Sequence, residues 1–595
     1  MTEGFRPVLR QPWAVAAASL VLAVYAAVLS VMPKGAFWSP DEGAKFIQLH
    51  SIAWHDGVRY AIPYGGERID PEYLFYPTHC RFEDLYPVPL PDGGVKFHWP
   101  IWFPLGSGLL VSVFGLTGLY LVPLVSGWLV ALLAGHLMCA WEPRLAPLAI
   151  LAVGLATPIA FFSLTFWEHT LATLLGLGGL AVVAGGRPRG KAALWVIAPL
   201  LLAAGALRAE MLLFGAGVLG AWYVVGHRSG EASGRSGGRA RWVVLGLAVG
   251  AALAVLLAEG LPERHRWMLS VLPSYLFHSV AKLPYLAETL TAVLVDVSGN
   301  QAPVVPQLWR YGVLAACFGV ALASLLVSRR REAVVLLISL AVILEFSLYL
   351  VVRPEAYISL HGFLPIAPVI VLSVYALPSI WRRRQRAQVA IAVAAVAYGV
   401  LALAAIFVFL VTADGVTPTG LEWGNRYLLT LYPIGTVLGL AALSEYRRSA
   451  RPLLLRQLVT AAAAGLLVCG LFLQVRGVRM LLESRRLVTA WQTALREGPP
   501  VMTDVWWLPA TMAPLFIGHE MHCVRHTRDL AEWFPYAVQH GVDTFTFASF
   551  RPLDLDRVQH DGFDVVAEPE RVVSGLHLTR CRITPASAPA GADDS

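Results

Sequence analysis

Long apolar runs recur through most of this chain and constrain its fold more than any other feature. The first, "VAAASLVLAVYAAVLSVM" (Val15–Met32), carries no charge at all. Runs of about 18–24 residues match the thickness of hydrocarbon that an α-helix must cross in a bilayer. Of 595 residues, 57% are hydrophobic and 14% charged. A soluble domain of that size cannot bury so large an apolar share. The expected fold class is therefore a polytopic α-helical membrane protein with about 13 membrane-spanning helices. They fall near 14–33, 118–140, 146–163, 170–186, 192–206, 207–226, 242–260, 309–328, 332–352, 363–381, 388–411, 427–444 and 456–475. The first run is long for a signal-peptide core and lacks a small-x-small cleavage site, so it is read as a retained helix.

The net charge of +7 then calls for no nucleic-acid partner. "RPRGK" (Arg187–Lys191), "HRSGEASGRSGGRAR" (His227–Arg241), "RRR" (Arg329–Arg331), "RRRQR" (Arg382–Arg386) and "RRSARPLLLR" (Arg447–Arg456) are short basic loops. The positive-inside rule sets them, and the N-terminus, on the cytoplasmic side of the plasma or inner membrane. Two units follow: a transmembrane domain over 1–475, with extracytoplasmic loops 34–117 and 261–308, and a small extracytoplasmic α/β domain over 476–595. In the first loop, "HWPIWFPLGSGLLVSVFG" is short and Gly-broken for a span, and its tryptophans suit an interfacial position. In the tail, "PVMTD" and "DTFTFASF" read as strands, and "RDLAEWFPYAVQHG" as a helix closed by Gly541.

The six cysteines form no CxxC pair. Cys139, Cys317 and Cys469 lie in apolar runs, and Cys80, Cys523 and Cys581 in polar segments. If the tail is extracytoplasmic, Cys523 and Cys581 are candidates for a disulfide. "GHEMHCVRH" (Gly518–His526) collects three histidines but is not HExxH, because its second His comes one residue too early after the first. "TDVWWLPA" (Thr503–Ala510) offers aromatics for packing, for lipid or for stacking on a sugar.

Chemistry is expected at the membrane mouths. Just beyond the first run, "SPDEGAKF" places Asp41 and Glu42 side by side. Ser39 is a good N-cap, Pro40 a good first helical residue, and acids suit the first turn, so a solvated helix start explains the residue types. The alternative is that one acid faces a cavity as general base or ligand. Successive residues on a helix diverge by about 100°, so only one of the two needs to. Lys45 stands four residues on and can pair with Asp41. "FWEHT" carries Glu168 and His169, candidates to bind a divalent cation or a sugar; the same residues also suit an interfacial aromatic belt with a helix cap. "LRAEM" (Arg208, Glu210), "VVRPEAYISLHGFLP" (Arg353, Glu355, His361) and "LEWGNRYLLTLYP" (Glu422, Arg426) place arginines at outer turns. An isolated Arg there can snorkel to the interface, but three outer arginines suit phosphate.

Three stretches, "SPDEGAKFIQLHSI", "FPLGSGLLVSVFGLTGLYLVPLVSG" and "ATPIAFFSLTFWEHTLATLLGLGGLA", together with the order of helix, acidic loop, spans and tail, resemble the GT-C glycosyltransferases. The plan is similar to that of protein O-mannosyltransferases and lipid A aminoarabinose transferases. The resemblance implies a donor sugar on a polyprenyl phosphate, an extracytoplasmic acceptor (glycolipid, polysaccharide or protein), inversion at the anomeric carbon, and the bilayer as surroundings. It implies Asp41 as general base and maps a second acid onto Glu168, where the family has Asp. It implies a divalent cation (Mg, Mn or Zn) as an optional cofactor, with no organic cofactor, and Glu42, Glu168 and His169 as metal or acceptor ligands. The donor phosphate falls to Arg426, with Arg208, Arg353 and His361 behind it. An O-antigen-type polymerase or ligase, a lipid-linked sugar transporter and a non-enzymatic assembly protein remain rival readings.

Overall fold

Uninterrupted apolar sequence with few β-breakers has one stable form in a lipid surround, the helix, because it satisfies every backbone donor within the segment. A computed structural model describes residues 8, 10–54, 63–77, 87–89, 95–97, 100–185, 191–228, 293–294, 312–313, 315–317, 319–320, 329–352, 362–383, 385–412, 415–416, 423–555, 558 and 562–585. The expected span 242–260 lies outside them, as do most of the span 309–328 and of the loop 261–308.

The principal helices are α1 (Pro12–Val31), α2 (Pro40–Trp54), α3 (Trp102–Phe114), α4 (Gly118–Met138), α5 (Ala146–Leu155), α6 (His169–Gly185), α7 (Lys191–Leu207), α8 (Glu210–Arg228), α9 (Arg329–Val352), α10 (Arg386–Leu410), α11 (Leu431–Arg448) and α12 (Leu453–Leu495). Among the described residues, five helical stretches are long and apolar enough to cross a membrane: Pro12–Val31, Trp102–Met138, Ala333–Val352, Arg386–Phe407 and Leu453–Leu495. That is fewer than the spans expected. Several of the others are shorter apolar helices.

Proline explains two of the departures. The run 146–163 ends as a helix at Leu155, and a separate turn, Ile159–Phe162, follows Pro158. A residue before proline is driven out of the helical region. The expected span 363–381 is a helical turn Phe363–Ile366, a 3-10 segment Pro368–Leu372 and a helix Ser373–Arg383. Pro365 and Pro368 each lack the N–H that a continuous helix needs. The last expected span, 456–475, is instead the first half of a 43-residue helix.

The chain divides into two compact units, one of residues 1–30 and 120–480, the other of 31–119 and 481–595. In the first unit, helices pack through small residues and buried polar bridges. Tyr25 donates to the Gly154 carbonyl at 2.7 Å. Trp423 donates to Gln474, which in turn donates to the Ile366 carbonyl at 3.0 Å. Gly477 lies beneath the Trp423 ring, where a Cβ would come within 2.4 Å.

The second unit is a mixed sheet with short helices. Its strands are β1 (Val501–Thr503), β2 (Met521–Cys523), β3 (Thr544–Ser549), β4 (Phe563–Ala567), β5 (Arg571–Val573) and β6 (Leu576–Pro585). Their order is β2-β1-β3-β6-β4, with β5 also on β6. β1 runs parallel to β2 and β3, and β6 runs antiparallel to β3, β4 and β5. The strands expected at 500–504 and 543–550 are β1 and β3. The expected helix "RDLAEWFPYAVQHG" is a 3-10 segment, Thr527–Glu532, followed by a short helix Phe534–Gln539. Gly541 follows it in the left-handed region, at φ +73.

The first loop and the tail share one core. Ile69 and Phe75 pack with Met502, Trp533, Phe545 and Phe547. The Phe75 carbonyl accepts from Cys523 N–H at 2.9 Å, which covers the open edge of β2. The proposed Cys523–Cys581 disulfide does not form. Cys581 is a free, buried thiol within β6 and belongs to the shared core, whereas Cys523 is disulfide-bonded. Cys581 packs on the sheet's core face, and burial pushes its thiol up to about 12.

Candidate active site

Within the second unit, the start of α2 is capped as its sequence suggests. Ser39 Oγ accepts from the Glu42 N–H at 3.3 Å, and Glu42 Oε2 accepts from the Trp38 N–H at 2.6 Å. The Glu42 carboxylate is turned wholly inward. It meets the Arg485 guanidinium of α12, with Nη2 at 3.0 and 3.4 Å from its two oxygens, and both side chains are fully buried. Arg485 also donates to the Pro33 carbonyl at 3.4 Å, and Gln492 to the Gly35 carbonyl at 2.8 Å. Two side chains of α12 thus hold the strand of chain that enters α2.

This engagement places Glu42 in the framework of the site, with its oxygens already committed to Arg485 and Trp38. Asp41, rotated by about 100° on the same turn, is half-buried. Lys45 is buried one turn on, at 2% exposure. The helix start also abuts the segment after "VWW": a Cβ on Gly43 would lie 1.6 Å from the Ala510 carbonyl oxygen. Only glycine permits that approach.

A second polar chain ties the first loop to the tail. Tyr64 OH lies 2.7 Å from His522 Nδ1 and 3.0 Å from Asp70 Oδ2. Asp70 also accepts from the Leu74 and Phe75 N–H groups, each at 2.8 Å. Burial, with the Arg68 charge second, pushes the His522 imidazole down to about 3. It is therefore neutral near pH 7 and acts as a hydrogen-bond partner. Arg68 pairs with Glu520 at 2.8 Å on the surface. "GHEMHCVRH" is thus part of the joint between loop and sheet.

Within the first unit, residues from turns expected at the outer face converge. Arg208, in the turn between α7 and α8, bonds Glu210 at 2.7 Å and Glu168 at 3.2 Å. Burial works against its charge, but Glu210 and Glu168 outweigh it and hold its pKa above the ordinary value. The Arg426 charge is close enough to oppose this. Both guanidiniums lie on the Tyr427 ring, Arg208 at 6.0 Å and Arg426 at 5.3 Å from its centre. Arg426 also lies 5.9 Å from the Trp167 ring. Tyr398 OH donates to the Tyr427 carbonyl, which fixes that turn.

His169 is buried between Phe162 and Trp167, with ring centres at 5.1 and 5.0 Å. The described residues contain no group of three or more His, Cys, Asp or Glu that could hold a metal ion. Glu168 is engaged by a cation and His169 is enclosed by aromatic rings. This set does not fit a divalent ion, and no step below is routed through one. Arg353, Glu355, His361 and Glu422 lie outside the described residues.

The sequence alone singles out neither Arg485, Tyr64 nor Asp70, and weighs His522 only as a metal ligand. A signal for Arg485 was present. It interrupts a stripe of Leu481, Val488, Gln492 and Leu495 at helical spacing, all of them buried. A cation on a buried stripe demands a buried anion.

No family model matches this chain, and no curated protein matches it. Among solved structures, the chain is similar to ArnT from Cupriavidus metallidurans in the apo state, at 13% identity and a TM-score of 0.46, over 96% of this chain and 97% of that one. It is similar to the same enzyme bound to undecaprenyl phosphate, at 14% identity and a TM-score of 0.43, over 95% and 97% of the two chains. The archaeal oligosaccharyltransferase AglB from Archaeoglobus fulgidus, in complex with an inhibitory peptide and a dolichol-phosphate, is similar at 11% identity and a TM-score of 0.39, over 89% of this chain and 69% of that one.

Proposed function

We propose that the protein is a membrane glycosyltransferase. It moves a sugar from a polyprenyl-phosphate carrier onto an acceptor hydroxyl at the extracytoplasmic face, with inversion. The observation that carries this reading is the pair Arg208 and Arg426 on one tyrosine ring, with Glu168 and Glu210 bonded to Arg208. The planar fork of a guanidinium suits an anion of two or more oxygens, as a phosphate monoanion or dianion supplies.

In this reading Arg426 contacts the donor phosphate. Arg208, neutralised by Glu168 and Glu210, positions it. Asp41 takes the proton of the acceptor hydroxyl as that oxygen bonds to the anomeric carbon. The bond from the anomeric carbon to the phosphate oxygen breaks in the same step, and polyprenyl phosphate departs without needing a proton. One carboxylate is enough, unlike the carboxyl pair of a glycosidase. The cation near the leaving phosphate lowers the barrier where charge develops. In the same reading the tail and first loop lie outside, and the basic loops inside.

The test is transfer in membranes of a strain that expresses the protein, with radiolabelled polyprenyl-phosphate sugars as donors and the anomeric configuration of the product read by NMR. Retained configuration, or wild-type transfer by Asp41→Asn, removes this mechanism.

A further inference from the structure

We infer that the carboxyl end of the tail sheet, at Asp504, Trp507 and Phe550, binds a saccharide, and that this saccharide is the acceptor. The word acceptor rests on the transferase reading; saccharide binding does not.

The sheet supplies the place. β1, β2 and β3 run parallel, and in open α/β sheets ligands collect beyond the carboxyl ends of such strands. Asp504 is the residue after β1, and Phe550 the residue after β3. The intervening turn brings Trp507 onto Phe550, with ring centres 5.4 Å apart and planes 22° from parallel. Trp491 braces the pair from the side, edge-on to Phe550 at 5.5 Å, its own ring pinned by a 3.1 Å hydrogen bond to the Val573 carbonyl. None of the three belongs to the unit's main core, and Phe550 remains 38% exposed.

The carboxylate supplies the polar half. Thr527 Oγ1 donates to Asp504 Oδ2 at 3.2 Å. Oδ1 is buried and has no hydrogen-bond donor among the described residues. Such an oxygen is costly to leave unmet, and a ligand hydroxyl is one group that completes it. An aromatic face beside a carboxylate acceptor complements a pyranose, which has an apolar face of C–H groups and a rim of hydroxyl donors. A lipid surface would take the aromatic rings but not the anionic oxygen.

The location supplies the link to chemistry. Trp507 opens directly into Leu508–Thr511, whose Ala510 carbonyl touches Gly43 on the turn that carries Asp41. Thr511 accepts from the Phe37 N–H at 3.0 Å, so the platform and the helix start are held together.

The experiment uses the full chain in lipid nanodiscs against an array of neutral, amino and acidic mono- to tetrasaccharides, with saturation-transfer NMR on each binder. At least one saccharide binds saturably, Trp507→Ala and Phe550→Ala each weaken it by about tenfold, Asp504→Asn weakens it, and Trp507→Phe keeps most of it. Gly106→Ala, where a Cβ meets nothing within 4 Å, leaves binding unchanged. Thermal unfolding confirms that the variants fold, and Phe550→Leu substitutes for any that does not. A silent array, or equal binding by Trp507→Ala, overturns the proposal. So does quenching by brominated lipid that is lost in Trp507→Phe, because the ring then faces the bilayer. Saccharide binding with no sugar transfer by the wild-type protein sinks the transferase reading alone; a silent array with transfer intact sinks this one alone.

Discussion

Glu42 and Arg485 form an ion pair 3.0 Å long from which water is excluded, joining the first turn of α2 to the tail end of α12. The pair orders the turn on which Asp41 stands. Removing one partner leaves an uncompensated buried charge, at a cost of about 3–5 kcal/mol. Glu42→Ala and Arg485→Ala should therefore each lower the unfolding temperature sharply. Replacing both by residues of similar volume, such as Glu42→Gln with Arg485→Met, should recover most of that loss. Calorimetry on the purified protein checks this, and a single variant as stable as wild type would refute it.

Asp41 is half-buried beside that framework. Asp41→Asn should keep the wild-type unfolding temperature while sugar transfer falls by at least about a hundredfold, the lower range of general-base contributions. Product formation in membranes, set against unfolding of the same preparation, reads both effects.

Arg208 and Arg426 should separate. Arg208 is held by two carboxylates, so Arg208→Ala leaves Glu168 and Glu210 uncompensated in an apolar surround and should destabilise the first unit. Arg426→Ala should fold normally and raise the KM for the lipid-phosphate donor. Arg426→Lys should rescue only part, because an ammonium lacks the planar fork. Donor titrations distinguish the two.

The Tyr64–His522 joint predicts a pH dependence. The His522 pKa falls from an ordinary 6.5 to about 3 in the folded protein, so between those values the unfolded chain binds the extra proton. Stability from this group is complete above pH 6.5 and is lost as pH falls, by about 1.4 kcal/mol per pH unit inside the window. Burial raises the Asp70 pKa, which acts with the opposite sign as pH rises above 3.8. His522→Gln should flatten the loss between pH 6.5 and 5 in a thermal unfolding series. An unchanged slope would remove His522 as its source.

Gly43 faces the Ala510 carbonyl at a distance that no Cβ can occupy. Gly43→Ala should cost on the order of 3 kcal/mol, the upper part of the overpacking range. It should also reduce transfer, because the helix start and the platform would move apart. Gly106→Ala, where a Cβ meets nothing within 4 Å, is the control and should be silent.

Much of this was legible along the chain. α1, α4, α6, α7, α8 and α10 follow the apolar runs within a few residues, because run length and the demand for internal hydrogen bonds leave a lipid-facing segment no other form. The Ser39 cap was readable because capping is local. Pro158 and Pro365 mark breaks that the sequence shows in kind, while the apolar runs 146–163 and 363–381 continue through them. Hydropathy does not register a missing N–H. The second half of α12 was hidden because its apolar stripe narrows after Val475 and polar residues take the other faces.

What sequence determined here is the set of elements and their chemistry: apolar helices, a capped acidic helix start, a tail with strands, and arginines at helix ends. Tertiary structure alone decided which acid is committed. Glu42 and Asp41 are neighbours of the same chemistry, and the choice between them falls to Arg485, 443 residues away, because a buried charge settles wherever the fold brings its counter-charge. The same holds for Arg208 against Arg426, and for His522, which is set by the Tyr64 hydroxyl and not by the histidines beside it. Local pattern follows from local sterics and solvation; pairing depends on distances that only the packed chain defines.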